Sequence, residues 1–415
     1  MSESCSGEAK QHQLVQATEF VSDCWLPLNT ELLCEVKSKL AADAYNDAAD
    51  TLLADLKQDC SLFLSCLREL RSKLDSAEVV SGLEGVDFTL LRNLVEELSD
   101  DPGTHQLSEA TPLQAQRVQH AMISASTAET LAECEELPAD LGFTSGVVRQ
   151  LGLTLIAFNY PHVYARAVAK LADGVDLEQT LSKVLGFSPT MLGISLGRKW
   201  GLAPELQLAM GDTQRWTESD VVDDVAARLV KVCQVGEALA RANDPEHYPS
   251  ALSDWTTAEN EITAYLGPGG MQKVRARIEH NCASYFKAAP EFFEVRVSHS
   301  SALNAVKNSH VERMLSRNQY LSKCPEHIQL AIHQVYAHLV PDQISNESLQ
   351  LFVSRAVPGA AFTRGCVYLL DPIKMLLIPR LKVGNVDLQS FERVHCSAHY
   401  AVSYTHLTLP TMIGV

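Results

Sequence analysis

The sequence predicts a mainly α-helical protein whose last quarter changes to an α+β pattern. Three observations carry this. From Glu19 to about Phe293 apolar residues recur at helical spacing, and runs of alternating strand type are scarce. Turn formers cluster between the periodic stretches, as in 99–103 (Ser-Asp-Asp-Pro-Gly) and 267–270 (Gly-Pro-Gly-Gly). Two strand-like runs, 362–370 and 374–383, occur only near the end and flank an Asp371-Pro372 turn, as a hairpin would.

In chain order, the spacing predicts helices over 31–40, 48–70, 88–98 and 113–124. At 176–187 the signals are complete. Asp176 caps the first turn with Gln179 three residues on, Leu177, Leu181, Val184 and Leu185 share a face, and Gly186 ends the helix. The next helix follows almost at once, with Ser188 as its cap, Pro189 in its first turn, and Leu192, Leu196 and Trp200 as its buried stripe. Gly193 and Gly197 cost about 1 kcal/mol each in helix propensity, so a neighbouring helix is expected to approach closely there. Pro204 and Glu205 open a short helix carrying Leu206, Ala209 and Met210, and further helices are expected at 221–243 and 270–288, joined by a longer connection over 243–255. Beyond residue 290 come a polar helical connector at 302–318, helices at 327–339 and 347–355, and then the hairpin, which stops where its sheet should continue. The resulting division is a polar tail at 1–18, a helical domain at 19–215, a helical extension packing on it at 216–292, a connector at 293–322 and an interrupted α+β domain at 323–401.

Composition narrows the function classes. The 415 residues carry 34 basic and 51 acidic side chains, a formal charge of -17, which disfavours a nucleic-acid backbone or an anionic membrane as partner. Met1 to Gln16 lacks the basic start and apolar core of an export signal, and the most apolar stretch, Leu151 to Phe158, is far short of the ~20 residues that span a bilayer. A cytoplasmic location is expected. Eleven cysteines, an odd number with no Cys-x-x-Cys, fit reduced thiols.

No catalytic constellation emerges. The chain has no His-Asp dipeptide, no phosphate-binding Gly-x-x-x-x-Gly-Lys-Ser/Thr loop and no Gly-x-Ser-x-Gly elbow. His105, His120 and His162 stand far apart, His333 and His338 do not share a helix face, and the dense group His395-Cys396-Ser397-Ala398-His399 is read as chance spacing. Asp220, Asp223 and Asp224 suit the start of a helix, and Glu133, Glu135 and Glu136 a solvated turn.

Several motifs together resemble the HDOD family: Leu56, Asp59, Cys60 and Leu62; then 146–152 (Gly-Val-Val-Arg-Gln-Leu-Gly); then Leu185-Gly186-Phe187 with Gly193, Leu196, Trp200, Leu202 and Pro204. These helical domains of bacterial signalling proteins are related to HD-type metal phosphohydrolases, and the resemblance spans about residues 20–215. It implies a degenerate HD-type helical fold. Where the related enzymes place their His-Asp pair, this chain has Arg149 and Gln150; Pro189 replaces another histidine, and Gly211 and Asp212 replace a third motif. The resemblance therefore implies no catalytic residues, no metal and no cofactor, because arginine stays protonated and a neutral amide replaces a carboxylate poorly. The C-terminal helices and the Gly365 to Pro372 hairpin segment resemble the start of a GAF domain, which implies a small-molecule ligand for the intact module. The last residues, 402–415, resemble a translated sequencing adapter and are expected to be non-native. The implied function is a non-catalytic regulatory protein in a signalling pathway: a helical module that binds a protein partner, coupled to a GAF-like sensor, with no nucleic-acid or membrane role. The alternatives are a residual metal-dependent phosphohydrolase or phosphodiesterase, and a purely structural helical adaptor.

Overall fold

The computed structural model describes residues 2–75, 78–99, 104–171, 174–212, 220–288, 321–337, 346–371, 376–384 and 394–395. The chain divides into two units, one ending at Leu303 and the other starting at Asn304.

Among its described residues the first unit is built of helices, as the spacing predicts, with one isolated parallel bridge between Val80 and Leu202. In order it contains α1 (Ser2–Asp23), α2 (Thr30–Ala41), α3 (Ala49–Leu56), α4 (Cys60–Lys73), α5 (Phe88–Glu97), α6 (Pro112–Ala132), α7 (Ala139–Asn159) and α8 (Pro161–Val168). These are followed by α9 (Leu177–Leu185), α10 (Pro189–Lys199), α11 (Pro204–Ala209), α12 (Asp220–Ala242), α13 (Ala251–Leu266), α14 (Gly270–Asn281) and α15 (Ala283–Ala288). At the centre, α6 is sandwiched between α7 and α12. Backbones this close need residues without side chains: a Cβ on Gly146 of α7 would fall 2.5 Å from the Cα of Ala125, and one on Gly236 of α12 would fall 2.4 Å from the carbonyl oxygen of Ser124. The helices α12, α13, α14 and α15 thus pack into the same core as the helices before them.

Several elements differ from the spacing-based expectation. The single helix expected at 48–70 is two helices, because Asp59 turns the chain. Its side chain accepts from the Ser61 amide at 2.8 Å and so caps α4, while its other oxygen accepts from the Asn29 amide at 2.7 Å, at the entry to α2. The Tyr285 hydroxyl of α15 donates to the same carboxylate at 2.6 Å. Likewise 270–288 breaks at Cys282, and the connection expected over 243–255 becomes α13 from Ala251 onward. The stretch 1–18, polar in composition, belongs largely to α1, whose Leu14, Ala17 and Val21 are buried and whose Thr18 hydroxyl donates to Ser195 of α10 at 3.2 Å. The helix α7 has no free face. By length and composition Ala139–Asn159 could cross a membrane, but 83% of its apolar window is buried inside the fold, and the apolar run seen as Leu151 to Phe158 is only its second half.

The second unit contains α16 (Glu326–Ala337), α17 (Asn346–Leu351), a π-helical stretch Phe352–Ala356 that runs on into α18 (Val357–Gly359), and strands β1 (Gly365–Asp371), β2 (Leu376–Val383) and β3 (Val394–His395). The antiparallel pair β1 and β2 runs from Gly365 opposite Val383 to Asp371 opposite Leu376, with a register shift between Val367 and Tyr368. The antiparallel pairing is as expected, except that it starts at Gly365 instead of Phe362 and is joined by a third strand, Leu376 pairing with His395; the expected turn after Asp371, at 372–375, lies outside the described residues. A small core of Val335, Tyr336, Leu349, Phe352, Val357 and Val383 holds helices and sheet together. The expected connector at 302–318, residues Cys396 to His399 and the segment 402–415 lie outside the described residues.

Candidate functional site

The three motif positions singled out in the sequence come together where α7, α10 and α11 meet. The Pro189 carbonyl, at the start of α10, lies against Gly152, three residues beyond Arg149 on α7. Gly211, just after α11 and at φ +100, faces the Thr190 side chain. The Arg149 Nη1 donates to the carbonyl of Ala209 at the end of α11.

The side chains there are locked by ion pairs. Arg149 grips Glu237 of α12 with two contacts, Nε to Oε1 at 2.8 Å and Nη2 to Oε2 at 3.3 Å, and Gln150 donates its amide to the same Oε1 at 3.2 Å. In turn the Gln150 carbonyl oxygen accepts from Arg117 of α6. Asp212 is buried and takes a bidentate grip from Arg198, at 2.6 and 2.5 Å. A guanidinium offers no lone pair, and the one carboxylate in the set, Asp212, is already held by a cation, so these positions do not fit a metal ion. Among the described residues no group of three or more His, Cys, Asp and Glu side chains has metal-holding geometry.

A second polar cluster lies in the same unit. Lys57 is buried between Glu129 of α6, at 2.9 Å, and Asp140 of α7, at 3.2 Å. The backbone amides of Leu83 and Glu84 donate to the other Asp140 oxygen, each at 3.0 Å, and Asn281 donates to Glu129 at 2.9 Å. Burial works against the Lys57 charge, yet the two carboxylates win and hold its pKa above the usual lysine value. The cluster floors an open cavity of about 220 Å³ with Arg277 at its rim.

The histidines distribute as follows. His105 faces Asn159 at 3.3 Å, His162 is an exposed residue in the first turn of α8, and His333 is exposed on α16. His338 lies outside the described residues. His120 is the exception. It is buried on α6 and meets residues of the connection after α12: its Nε2 is 3.6 Å from Asp244, whose other oxygen is hydrogen-bonded to His247 at 2.8 Å, and its ring packs against Tyr248. Sequence spacing could not reveal this, because the partners are more than a hundred residues apart. The acidic turn is also less free than its composition suggests, since Glu135 accepts from Lys231 at 2.9 Å and from the Tyr265 hydroxyl at 2.5 Å, while Asp224 pairs with Arg228. Cys60, Cys66, Cys233 and Cys282 are buried, and burial pushes their thiols up to about 12, 12, 11 and 12.

Comparison with known proteins gives three findings. Residues 77–215 match the HDOD domain. The match begins after the Leu56 to Leu62 motif, which lies outside it. No curated protein matches. Among solved structures, a Shewanella amazonensis SB2B protein provisionally described as a phosphohydrolase is 17% identical, with 66% of this chain and 97% of that chain covered, at a TM-score of 0.35. A likeness at that score carries no weight for fold or activity.

Proposed function

We propose, from the premise that residues 77–215 form an HDOD domain, that the chain is a non-catalytic, cytoplasmic regulatory protein in signal transduction. Its helical module acts by binding a protein partner, and a GAF-like sensor in the second unit takes a small molecule. The observation that carries the non-catalytic reading is the ion pair between Arg149 and Glu237. It fixes a permanent cation at the first of the two positions where the related enzymes hold a His-Asp pair, so a second cation there would meet repulsion in a poorly hydrated setting.

The helix-helix-hairpin order of the second unit supports the GAF-like reading. Ligand occupancy there would bias the packing of the helical module, which then presents a changed surface to its partner. Hydrogen exchange on the full chain tests this coupling. Ligand addition should alter protection in α6, α7 or α12, and unchanged exchange throughout the first unit would refute it.

The catalytic alternative is tested on the same preparation. Purified protein should contain no stoichiometric transition metal and should leave cyclic dinucleotides intact. Bound metal at one equivalent, with hydrolysis that a chelator abolishes, would replace this reading with that of a phosphohydrolase.

A further inference from the structure

The helix α6 buries a guanidinium without a counter-charge. Arg117 is 3% exposed, yet among the described residues no carboxylate lies within ion-pair distance of it. Its Nη2 donates to Gln150, and its Nε has no hydrogen-bond partner. Three residues on, the same face of α6 carries His120, 5% exposed, whose Nε2 is also without a hydrogen-bond partner. An unpaired buried charge is among the costliest features a core can carry, and two unsatisfied groups side by side call for a shared partner.

The surroundings suit a negative one. The guanidinium faces the phenols of Tyr164 and Tyr248, whose pKa values burial raises and whose rise Arg117 holds back. Burial, and next to it the Arg117 charge, keep the His120 ring neutral. The His120 and Tyr248 rings are in contact, with centroids 5.6 Å apart, so a neutral imidazole, two phenols and the Arg117 cation share one neighbourhood. Asp244 is the acidic group nearest His120, and its own charge is taken up by His247 at 2.8 Å. His247 and Tyr248 are only partly buried.

We propose that Arg117, His120, Tyr164 and Tyr248 form a binding site for a small oxyanion, with the Arg117 fork taking two of its oxygens. This site meets the Arg149–Glu237 pair only through Gln150, which accepts from Arg117 and donates to Glu237, and it stands whether or not the regulatory reading above holds.

The test uses the full chain in a buffer free of phosphate and sulfate, with inorganic phosphate as the probe and chloride at equal ionic strength as the control. Calorimetric titration should give saturable binding with a Kd of about 1 mM or tighter. Roughly 30 mM phosphate should then raise Tm by about 3–6 °C over chloride. Acetate run in parallel assigns the preferred oxyanion: tighter binding of phosphate indicates a phosphate-type ligand, tighter binding of acetate a carboxylate, and either supports the site. Arg117→Met should weaken binding at least tenfold and, by removing an unpaired buried charge, raise Tm in the chloride buffer. Should that variant fail to fold, Tyr248→Phe, which keeps the ring and loses a donor, should weaken binding several-fold. Two results would overturn the proposal: no saturable heat up to roughly 50 mM of either oxyanion, or a phosphate-dependent rise in Tm that both variants retain in full.

Discussion

Arg149 and Glu237 stand 88 positions apart in the chain and meet through two nitrogen–oxygen contacts of 2.8 and 3.3 Å, joining α7 to α12. Both side chains are less than one-fifth exposed. Arg149→Met leaves Glu237 half-buried with only the Gln150 amide, and should cost about 2–3 kcal/mol in urea unfolding. Adding Glu237→Gln should recover at least half of that loss, and additive costs would show that the pair is not coupled.

At the crossing of α7 and α10, Gly152 sets the distance. A Cβ there would fall 1.9 Å from the Pro189 carbonyl oxygen, whereas on Gly193 its nearest neighbour would be 3.4 Å away. Gly152→Ala should destabilise by about 3 kcal/mol or more, while Gly193→Ala should cost under about 1 kcal/mol. Thermal unfolding of the two variants compares them directly, and equal effects would contradict this geometry.

Lys57 pairs with two buried carboxylates at once. Lys57→Met keeps the length of the chain but strands Glu129 and Asp140, and the expected loss is about 3–5 kcal/mol. The loss should shrink as pH falls, because protonating either carboxyl relieves the stranded charge.

Burial holds the His120 pKa well below its ordinary value of 6.5. Below that pH the unfolded chain takes up a proton that the folded chain refuses, so this group lowers stability on acidification by up to about 1.4 kcal/mol per pH unit. His120→Gln should flatten the fall of stability between about pH 6.5 and 5, as read from urea midpoints. An unchanged slope would show that His120 titrates normally.

What could be read from the sequence follows from the range of each interaction. Caps are local, and Asp176 and Ser188 do accept from the amides of Gln179 and Met191 as expected, with Gly186 in the left-handed region. The glycine groove on α10 was legible too, although the tighter contact is with Gly152 on the facing helix, and no pattern within one helix can tell which residue its neighbour presents. The helix α7 escaped the periodicity because it is buried almost all round and has no polar stripe to mark a phase. The turn at 57–59 escaped because its cause, the Tyr285 hydroxyl and the Asn29 amide, lies far along the chain. In the site, the resemblance located Arg149, Gln150, Gly211 and Asp212, but their partners Glu237 and Arg198 and the meeting of His120 with Asp244 arise only on folding.

The Asp59 carboxylate, which accepts from Asn29, Ser61 and Tyr285, bears on how such a protein could be rearranged by recombination. All four residues lie outside 77–215, the stretch that matches the HDOD domain. A gene fusion that borrowed only that stretch would leave behind the first four helices together with α12 and α14, exposing the α6 surface that those two helices cover. The unit that must travel together to keep its core covered is therefore wider than the recognisable one, reaching from Leu14 of α1 to Tyr285 of α15.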